Sequence, residues 1–186
     1  MVISPGIPHL HPKPHPAAAH ANSRQIEVIS EVELALRAKP QARLVVVTGT
    51  NGKSTTTALI GQCLKTAGRA HAIGGNLGDP ACSLDDPGKD GVLVLELSSY
   101  QLETTPSLAP DISILLNISP DHLDRHGGMK GYIAAKTVAL DRLRTDCLAI
   151  IGDGDERVKM LAAATRKRGI KTMIASPDDA PDAQRH

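Results

Sequence analysis

Aromatic residues are almost missing from this sequence, which has two tyrosines and neither phenylalanine nor tryptophan among its 186 residues. The core is therefore expected to consist of Leu, Ile, Val and Ala, and no aromatic platform for stacking bases or sugars is expected. Cysteine is also scarce: Cys63, Cys82 and Cys147 are odd in number and form no C-x-x-C pair, which excludes a disulfide framework and a paired-cysteine metal or redox site. Each is expected to be a small buried hydrophobic residue.

The sequence also lacks an excess of either charge and any long apolar run. With 21 Lys+Arg against 20 Asp+Glu, the formal net charge is +1, which gives no basic patch for nucleic acid or an acidic membrane. No apolar segment approaches the roughly 20 residues of a membrane-spanning helix, and the first residues do not resemble a signal peptide. We therefore expect a cytoplasmic protein with no nucleic-acid or membrane partner.

Apolar segments of strand length alternate along the chain with segments of helical periodicity. This alternation predicts right-handed βαβ units and an α/β fold with an open, mostly parallel sheet and helices on both faces. The predicted strands are Leu44–Val47, Ala70–Ile73, Val92–Glu96, Ile112–Asn117, Cys147–Ile151 and Ile170–Ile174. The predicted helices run from Ser30 to before Pro40 and over Lys53–Ala67, Tyr100–Thr105, Met129–Arg144 and Glu156–Arg168.

Histidines and prolines interleave within residues 1–23. Histidine-rich tracts can bind metal ions. Because the prolines prevent a helical spacing of such ligands, an irregular loop is the favoured interpretation of this segment.

A glycine-rich loop, TGTNGKST at residues 48–55, joins the first core strand to a helix. Its glycines let backbone N–H groups curve around a phosphate, and the helix N-terminus adds the positive end of its dipole. We expect Lys53 to pair with the β- and γ-phosphates and the Ser54 hydroxyl to reach Mg²⁺. The loop departs from the general G-x-x-x-x-G-K-[ST] pattern because Val47 stands at its first glycine, and an ordinary turn is the alternative.

Polar residues also follow other predicted strands, where open α/β sheets bind their ligands. Glu96 ends a buried strand and is well placed for Mg²⁺, although a surface glutamate is the alternative. The segment 121–124, DHLD, is either a metal or acid/base cluster containing His122 or a solvated acidic loop. The GGNLG segment, residues 74–78, is a weak signal for a close ligand approach with Asn76 as a hydrogen-bonding group.

Lys136 falls within an apolar stripe of the predicted helix Met129–Arg144, together with Ile133, Leu140 and Leu143. Burial lowers the pKa of a lysine and favours the neutral amine. A neutral amine can act as a base, or react with CO₂ to give an anionic carbamate that can bind a metal ion. The alternative is a lysine that extends its ammonium group to solvent.

Taken in order, these segments resemble the Mur ligase family, ATP-dependent enzymes that add amino acids to the peptidoglycan precursor. The TGTNGKST loop is typical of the superfamily, which also includes folylpolyglutamate synthases. Three further segments are similar to those of the D-glutamate-adding members: SPGIP at 4–8, GGNLG at 74–78 and LELSSYQLE at 95–103. The resemblance implies a P-loop-type nucleotide-binding fold. It also implies D-glutamate addition to UDP-N-acetylmuramoyl-L-alanine, with ATP as co-substrate, through an acyl phosphate.

The resemblance also implies roles for individual residues. Lys53, His122 and Lys136 would be catalytic. Ser54 and Glu96 would bind one Mg²⁺, and His122 with a carbamylated Lys136 would bind a second. The residues that face the nucleotide-sugar substrate would be Asn76, Ser98 and Gln101. The residues that hold ATP would be Gly49, Thr50, Asn51, Gly52, Lys53, Ser54, Thr55 and Thr56.

The family organisation implies that residues 1–40 are the tail of an N-terminal uridine-nucleotide-binding domain with its linker. Residues 41–186 would then be an incomplete central ATP-binding domain, and the C-terminal amino-acid-binding domain would be absent. We therefore expect a monomer that has no ligase activity by itself. Two alternatives stay open: another amino-acid ligase of the superfamily, such as a diamino-acid-adding one, and a non-catalytic ATP-binding module.

Overall fold

The computed structural model describes residues 1–38 and 40–176. The strands are β1 Arg43–Thr48, β2 His71–Gly75, β3 Val92–Glu96, β4 Ile112–Leu115, β5 Leu148–Gly152 and β6 Lys171–Ala175. They form one sheet in the order β2-β3-β1-β4-β5-β6, and every neighbouring pair is parallel. The predicted open parallel sheet is confirmed, and its six strands overlap the six segments assigned from the apolar pattern.

Helices cover both faces of this sheet, as predicted. They are α1 Pro16–Ser23, α2 Glu31–Arg37, α3 Lys53–Thr66, α4 Ser99–Glu103, α5 Met129–Asp141 and α6 Glu156–Lys167. Helix α3 packs on one face, where Ile60 and Leu64 lie against Val45 and Val47 of β1. The other face packs against α2, α4, α5 and α6. None of the helices within the described part of the chain is both long and apolar enough to cross a membrane.

The buried aliphatic residues of β1 explain why a continuous apolar run forms a central strand. Residues Leu44 to Thr48 are all buried, because alternate side chains point to opposite, equally covered faces. The same arrangement brings the carboxyl ends of β1, β3 and β4 to one edge of the sheet. The predicted site loops therefore share that edge.

Two expectations about local structure were wrong. Residues 1–23 are not irregular throughout, since Pro16–Ser23 is a helix whose N-cap, His15, accepts a hydrogen bond from the Ala17 N–H at 3.2 Å. Proline is compatible with the first helical position because its missing N–H would have no helical partner there. Of the three cysteines only Cys147 is buried, and Cys63 and Cys82 are exposed.

Cys63 and Cys82 are exposed because each lies on the solvent side of its local structure. Cys63 lies on the outer side of α3, near Leu59, which is 62% exposed, whereas Thr57 and Gly61 form the buried side. Cys82 lies at the surface, where its thiol donates a hydrogen bond to the Glu31 carbonyl at 3.0 Å.

Candidate functional site

The glycine-rich loop crosses the carboxyl edge of the sheet between β1 and α3. Gly49 and Gly52 have φ angles of 151° and 81°, in the region that favours glycine. A Cβ on Gly49 would also lie 3.0 Å from the Leu116 Cβ. Gly52 is the N-cap of α3, and as a glycine it has no side chain that could occupy the helix N-terminus. The first N–H groups of α3 therefore face the position where an anion would bind.

Asn117, just beyond the end of β4, holds this loop in place. Its side-chain oxygen accepts hydrogen bonds from the backbone N–H groups of Thr50 at 3.1 Å and Asn51 at 2.9 Å. Its amide nitrogen donates to the Asn51 carbonyl at 3.0 Å. The Thr50 hydroxyl is also 3.0 Å from the Tyr132 hydroxyl. The backbone N–H groups of Thr50 and Asn51 and the Thr50 hydroxyl thus make hydrogen bonds that shape the loop. Contact of these two residues with ATP stays a prediction.

Sequence reasoning gave no role to Asn117 or Tyr132. A polar residue directly after an apolar strand, at the same edge as the glycine-rich loop, was the available signal for Asn117. Nothing in the sequence indicated that Tyr132 would reach Thr50, because this contact joins residues that lie far apart along the chain.

A cavity of about 260 Å³ lies beside the loop, and we call it the Lys136 cavity. It brings together predicted site residues from five separate segments: Lys53, Asn76, Ser98, His122 and Lys136. Its remaining lining residues are Pro5, Gly6, Ser99, Tyr100, Asp121 and Tyr132. Residues distant in sequence therefore form one polar cavity with two lysines in its wall.

Lys136 is buried, as the apolar stripe predicted, with 2% of its surface exposed. Its Nζ lies 3.5 Å from the Thr48 hydroxyl and 5.2 Å from the centre of the Tyr132 ring. Burial, reinforced by the nearby Lys53, lowers the pKa of Lys136 to about 7, although Asp121 and Glu96 oppose the shift. A substantial fraction of neutral amine is therefore present at neutral pH, which carbamylation requires; carbamylation itself stays a prediction.

His122 lies at the mouth of the same cavity in a left-handed backbone conformation, with φ 46°. Such a conformation in a residue other than glycine costs about 1–3 kcal/mol and is concentrated at functional sites. The imidazole Nε2 lies 3.6 Å from Asp121 Oδ1, and the side chain is 59% exposed. This imidazole is open to a ligand, and its predicted metal contact remains a prediction.

A second cavity, of about 290 Å³, lies on the α3 side of the loop, and we call it the Glu96 cavity. Ser54, Thr57, Asp79 and Glu96 contribute its polar groups. Glu96 is 2% exposed, and its carboxylate accepts a hydrogen bond from the Asn76 side chain at 3.4 Å. Asn76 thus lies between the two cavities.

Hydroxyl and carboxylate oxygens fit Mg²⁺, which prefers oxygen ligands and retains several waters. The Thr57 hydroxyl supports this fit, because it is buried and has no hydrogen-bond partner among the described residues. Within the same part of the chain, no three His, Cys, Asp or Glu side chains cluster as a metal site. A cation here would therefore depend on Ser54, Glu96, water and phosphate oxygens.

Ser98 and Gln101 differ in where the structure places them. Ser98 lines the Lys136 cavity. Gln101 is buried behind it, and its side-chain oxygen accepts hydrogen bonds from the Ser98 N–H at 3.0 Å and the Ser98 hydroxyl at 2.9 Å. This capping box starts α4. Gln101 thus orients Ser98, and its direct contact with substrate stays a prediction.

Sequence reasoning missed a hydrogen-bonded chain that runs from the cavity-lining Ser99 through a buried histidine to Glu103. The Ser99 hydroxyl lies 2.9 Å from His126 Nε2, and His126 Nδ1 lies 3.0 Å from the Glu103 carboxylate. Burial, together with Lys136 and Arg125, lowers the pKa of His126 to about 4, whereas burial raises the pKa of Glu103. A neutral His126 that donates from Nδ1 to Glu103 accepts from the Ser99 hydroxyl.

The same imidazole supports an aromatic side chain of the cavity. The rings of His126 and Tyr100 stack with centroids 5.2 Å apart and planes 9° apart, while the Arg125 guanidinium lies 4.6 Å from the Tyr100 ring centre. No aromatic platform was expected from a chain with only two tyrosines. Both of them, Tyr100 and Tyr132, nevertheless line the Lys136 cavity.

Residues 47–185 match the sequence profile of the Mur ligase middle domain. The chain is 49% identical over 178 residues to a UDP-N-acetylmuramoylalanine--D-glutamate ligase from Paramagnetospirillum magneticum, covering 96% of this chain and 39% of that protein. It is 56% identical over 136 residues to a protein of the same name from Rhodospirillum rubrum, covering 73% of this chain and 28% of that protein.

Among solved structures, MurF from Acinetobacter baumannii has the same fold, with a TM-score of 0.58 at 20% identity. The alignment covers 78% of this chain and 33% of that one. The chain thus spans about 28 to 39% of the length of the two curated relatives described above.

Proposed function

The chain belongs to the Mur ligase family, and from this membership we propose that it is the ATP-binding part of a D-glutamate-adding ligase. The acceptor is UDP-N-acetylmuramoyl-L-alanine, and the product carries a new amide bond in the peptidoglycan precursor. The names and identities of the two curated relatives support this choice over a diamino-acid-adding ligase.

The observation that carries the proposal is the meeting of Lys53, His122 and Lys136 in one cavity beside the glycine-rich loop. A non-catalytic nucleotide-binding module would need the loop alone. The Lys136 cavity adds a buried lysine with a pKa of about 7 in the same cavity wall as the loop lysine, Lys53. This arrangement supports our proposal of acid–base or carbamate chemistry on the reacting carboxylate, because strongly shifted pKa values are concentrated at functional sites.

The first step is attack by the L-alanine carboxylate on the γ-phosphorus. An O–P bond forms, the bond to the β–γ bridging oxygen breaks, and ADP leaves with that electron pair. The N–H groups at the start of α3 hold the phosphate oxygens, and Lys53 offsets the charge that develops on the γ-phosphoryl group. Magnesium, held by Ser54 and Glu96, would neutralise phosphate oxygens so that the carboxylate can approach.

The second step is attack by the amine of D-glutamate on the acyl phosphate. The C–N bond forms through a tetrahedral intermediate, the neutral amine gives up one proton to solvent, and the acyl C–O bond breaks so that inorganic phosphate leaves with that electron pair. Ser98, which Gln101 orients, and Asn76 would position the nucleotide-sugar substrate. A carbamylated Lys136, together with His122, would hold a second Mg²⁺ and keep the reacting carboxylate in line.

We also propose that residues 41–186 belong to the central domain of such an enzyme. Residues 1–40 would be the tail of its uridine-nucleotide-binding domain and a linker. The start of the family match at residue 47 supports a boundary in this region. We propose that the enzyme is a monomer and that it acts in the cytoplasm, where ATP and UDP-sugars are available.

A chimera tests the proposal. In it, this chain would replace the matching 178-residue segment of the P. magneticum ligase. Phosphate release from Mg-ATP that requires both UDP-N-acetylmuramoyl-L-alanine and D-glutamate is the expected result. A folded chimera that binds Mg-ADP but releases no phosphate would instead support the non-catalytic module.

A further inference from the structure

We propose that Thr57 is a positioning residue of the magnesium site. Its hydroxyl hydrogen-bonds a water molecule in the coordination shell of the cation that Ser54 and Glu96 hold. This inference rests on the proposed function, because it requires Mg-nucleotide to bind at the glycine-rich loop.

The Thr57 hydroxyl has no hydrogen-bond partner among residues 1–38 and 40–176, although the residue is only 6% exposed. Buried threonines in helices usually bond a carbonyl one turn earlier. Thr165 in α6 does so, with its hydroxyl 2.8 Å from the Leu161 carbonyl. Because a buried polar group without a partner is unfavourable, the Thr57 hydroxyl calls for a partner beyond those that residues 1–38 and 40–176 supply, and we infer a bound water.

The position of Thr57 indicates what that partner is. Thr57 follows Ser54 by three residues on α3, so the two side chains lie on the same face of the helix. Both line the Glu96 cavity, opposite the carboxylate that ends β3. A cavity of about 290 Å³ has room for a cation and several waters, since each water occupies roughly 30 Å³ in the liquid.

Magnesium ions in proteins keep several waters, and hydrogen bonds to those waters fix the orientation of the shell. Thr57 can accept a hydrogen bond from a cation-bound water, and its own proton can be donated to Asp79, Glu96 or another water. A single ordered water without a cation would satisfy the same hydroxyl. The two possibilities differ in whether Thr57 affects the magnesium dependence of nucleotide binding.

The experiment is calorimetric titration of the 186-residue chain with ADP at a series of Mg²⁺ concentrations and in excess chelator. Thr57→Val removes the hydroxyl with little change of shape, and Thr57→Ser retains it. Thr165→Val is the matched control, because it removes a buried helical hydroxyl far from the loop. Paramagnetic resonance of Mn²⁺ bound with ADP reports cation affinity independently of nucleotide affinity.

In Thr57→Val we expect the cation affinity of the ADP complex to fall about 10-fold, as for other outer-shell partners. ADP affinity in chelator stays unchanged, and the thermal stability of the ligand-free chain does not fall, because the hydroxyl makes no hydrogen bond to the described residues. Thr57→Ser and Thr165→Val retain the wild-type cation affinity. Equal cation affinity in wild type and Thr57→Val would overturn the role of Thr57 and leave the proposed function intact. A wild-type chain that binds no ADP with Mg²⁺ would overturn both.

Discussion

The two cavities at the carboxyl edge of the sheet are built differently. The Glu96 cavity takes three of its polar groups from α3 and β3, and the adjacent loop owes its shape to glycine conformations and backbone N–H groups. The Lys136 cavity combines side chains from distant segments, with titratable groups buried in or behind its wall. The Glu96 cavity therefore draws on three segments between residues 54 and 96, whereas the Lys136 cavity joins segments from residue 5 to residue 136 and contains a lysine whose charge depends on pH near neutrality.

The largest expected effect comes from removing the buried lysine. In the chimera, Lys136→Ala should lower the rate of phosphate release about 10²–10³-fold, comparable to the loss of one positioned catalytic group. Lys130→Ala, at an exposed position on the same helix, is the control and should retain the rate. Partial rescue of Lys136→Ala by short carboxylates would support the carbamate. Full activity of Lys136→Ala would exclude any catalytic role.

The pH dependence of stability tests the buried histidine. Because the pKa of His126 is lowered from 6.5 to about 4, the unfolded state binds more protons between these values. Its stabilising contribution is complete above pH 6.5 and is lost as the pH falls towards 4. We expect the free energy of unfolding to decrease by up to about 3 kcal/mol over this range.

Urea unfolding at several pH values measures this change. Lys136 contributes little to it, because it is mostly protonated in both states below its pKa of about 7. The raised pKa of Glu103 acts in the opposite direction and reduces the slope. His126→Gln should flatten the profile, whereas His20→Gln, on an exposed part of α1, should not. A wild-type profile without this slope would mean that His126 titrates normally.

Removing Lys53 separates phosphate binding from the chemistry proposed for Lys136, although both lysines line the Lys136 cavity. Lys53→Met should weaken Mg-ADP binding about 10- to 100-fold, because a charge-assisted contact to phosphate contributes about 1.5–3 kcal/mol. Lys65→Met, at the exposed end of the same helix, is the control. Calorimetry measures both, and unchanged binding by Lys53→Met would mean that phosphate binds elsewhere.

The smallest effect is expected from Asn117. Replacing it with alanine leaves the N–H groups of Thr50 and Asn51 without their side-chain acceptor. Because both positions are partly accessible to water, we expect a loss of only about 1 kcal/mol in the free energy of unfolding, with weaker nucleotide binding. Asn22→Ala on the surface of α1 is the control. Equal stability of both variants would show that the glycines alone shape the loop.

The fold could be predicted from the sequence because the apolar pattern of a parallel sheet is local. The run Leu44–Val47 and the stripe around Lys136 each indicate burial without knowledge of distant contacts. Helix α1 was missed because a proline-rich segment was interpreted by its composition, although Pro16 occupies the one turn that tolerates it.

The supporting contacts of the site could not be predicted in the same way. The Ser99–His126–Glu103 chain and the bracing of Thr50 by Asn117 join residues that the sequence separates by 23 to 67 positions. Their geometry exists only once α4, α5 and the loops are packed. The role proposed for Thr57 could not be predicted either, because the sequence does not show which helical threonines lack a hydrogen-bond partner among the described residues.

Amide NMR spectra of the 186-residue chain during titration with Mg-ADP test the division between the two cavities most directly. The account predicts saturable shifts of the N–H resonances of Gly52, Lys53, Ser54 and Thr55, with smaller changes at Ser98 and His122. In the chimera, titration with UDP-N-acetylmuramoyl-L-alanine should reverse that order. Shifts that spare residues 52–55 during nucleotide titration would contradict the account.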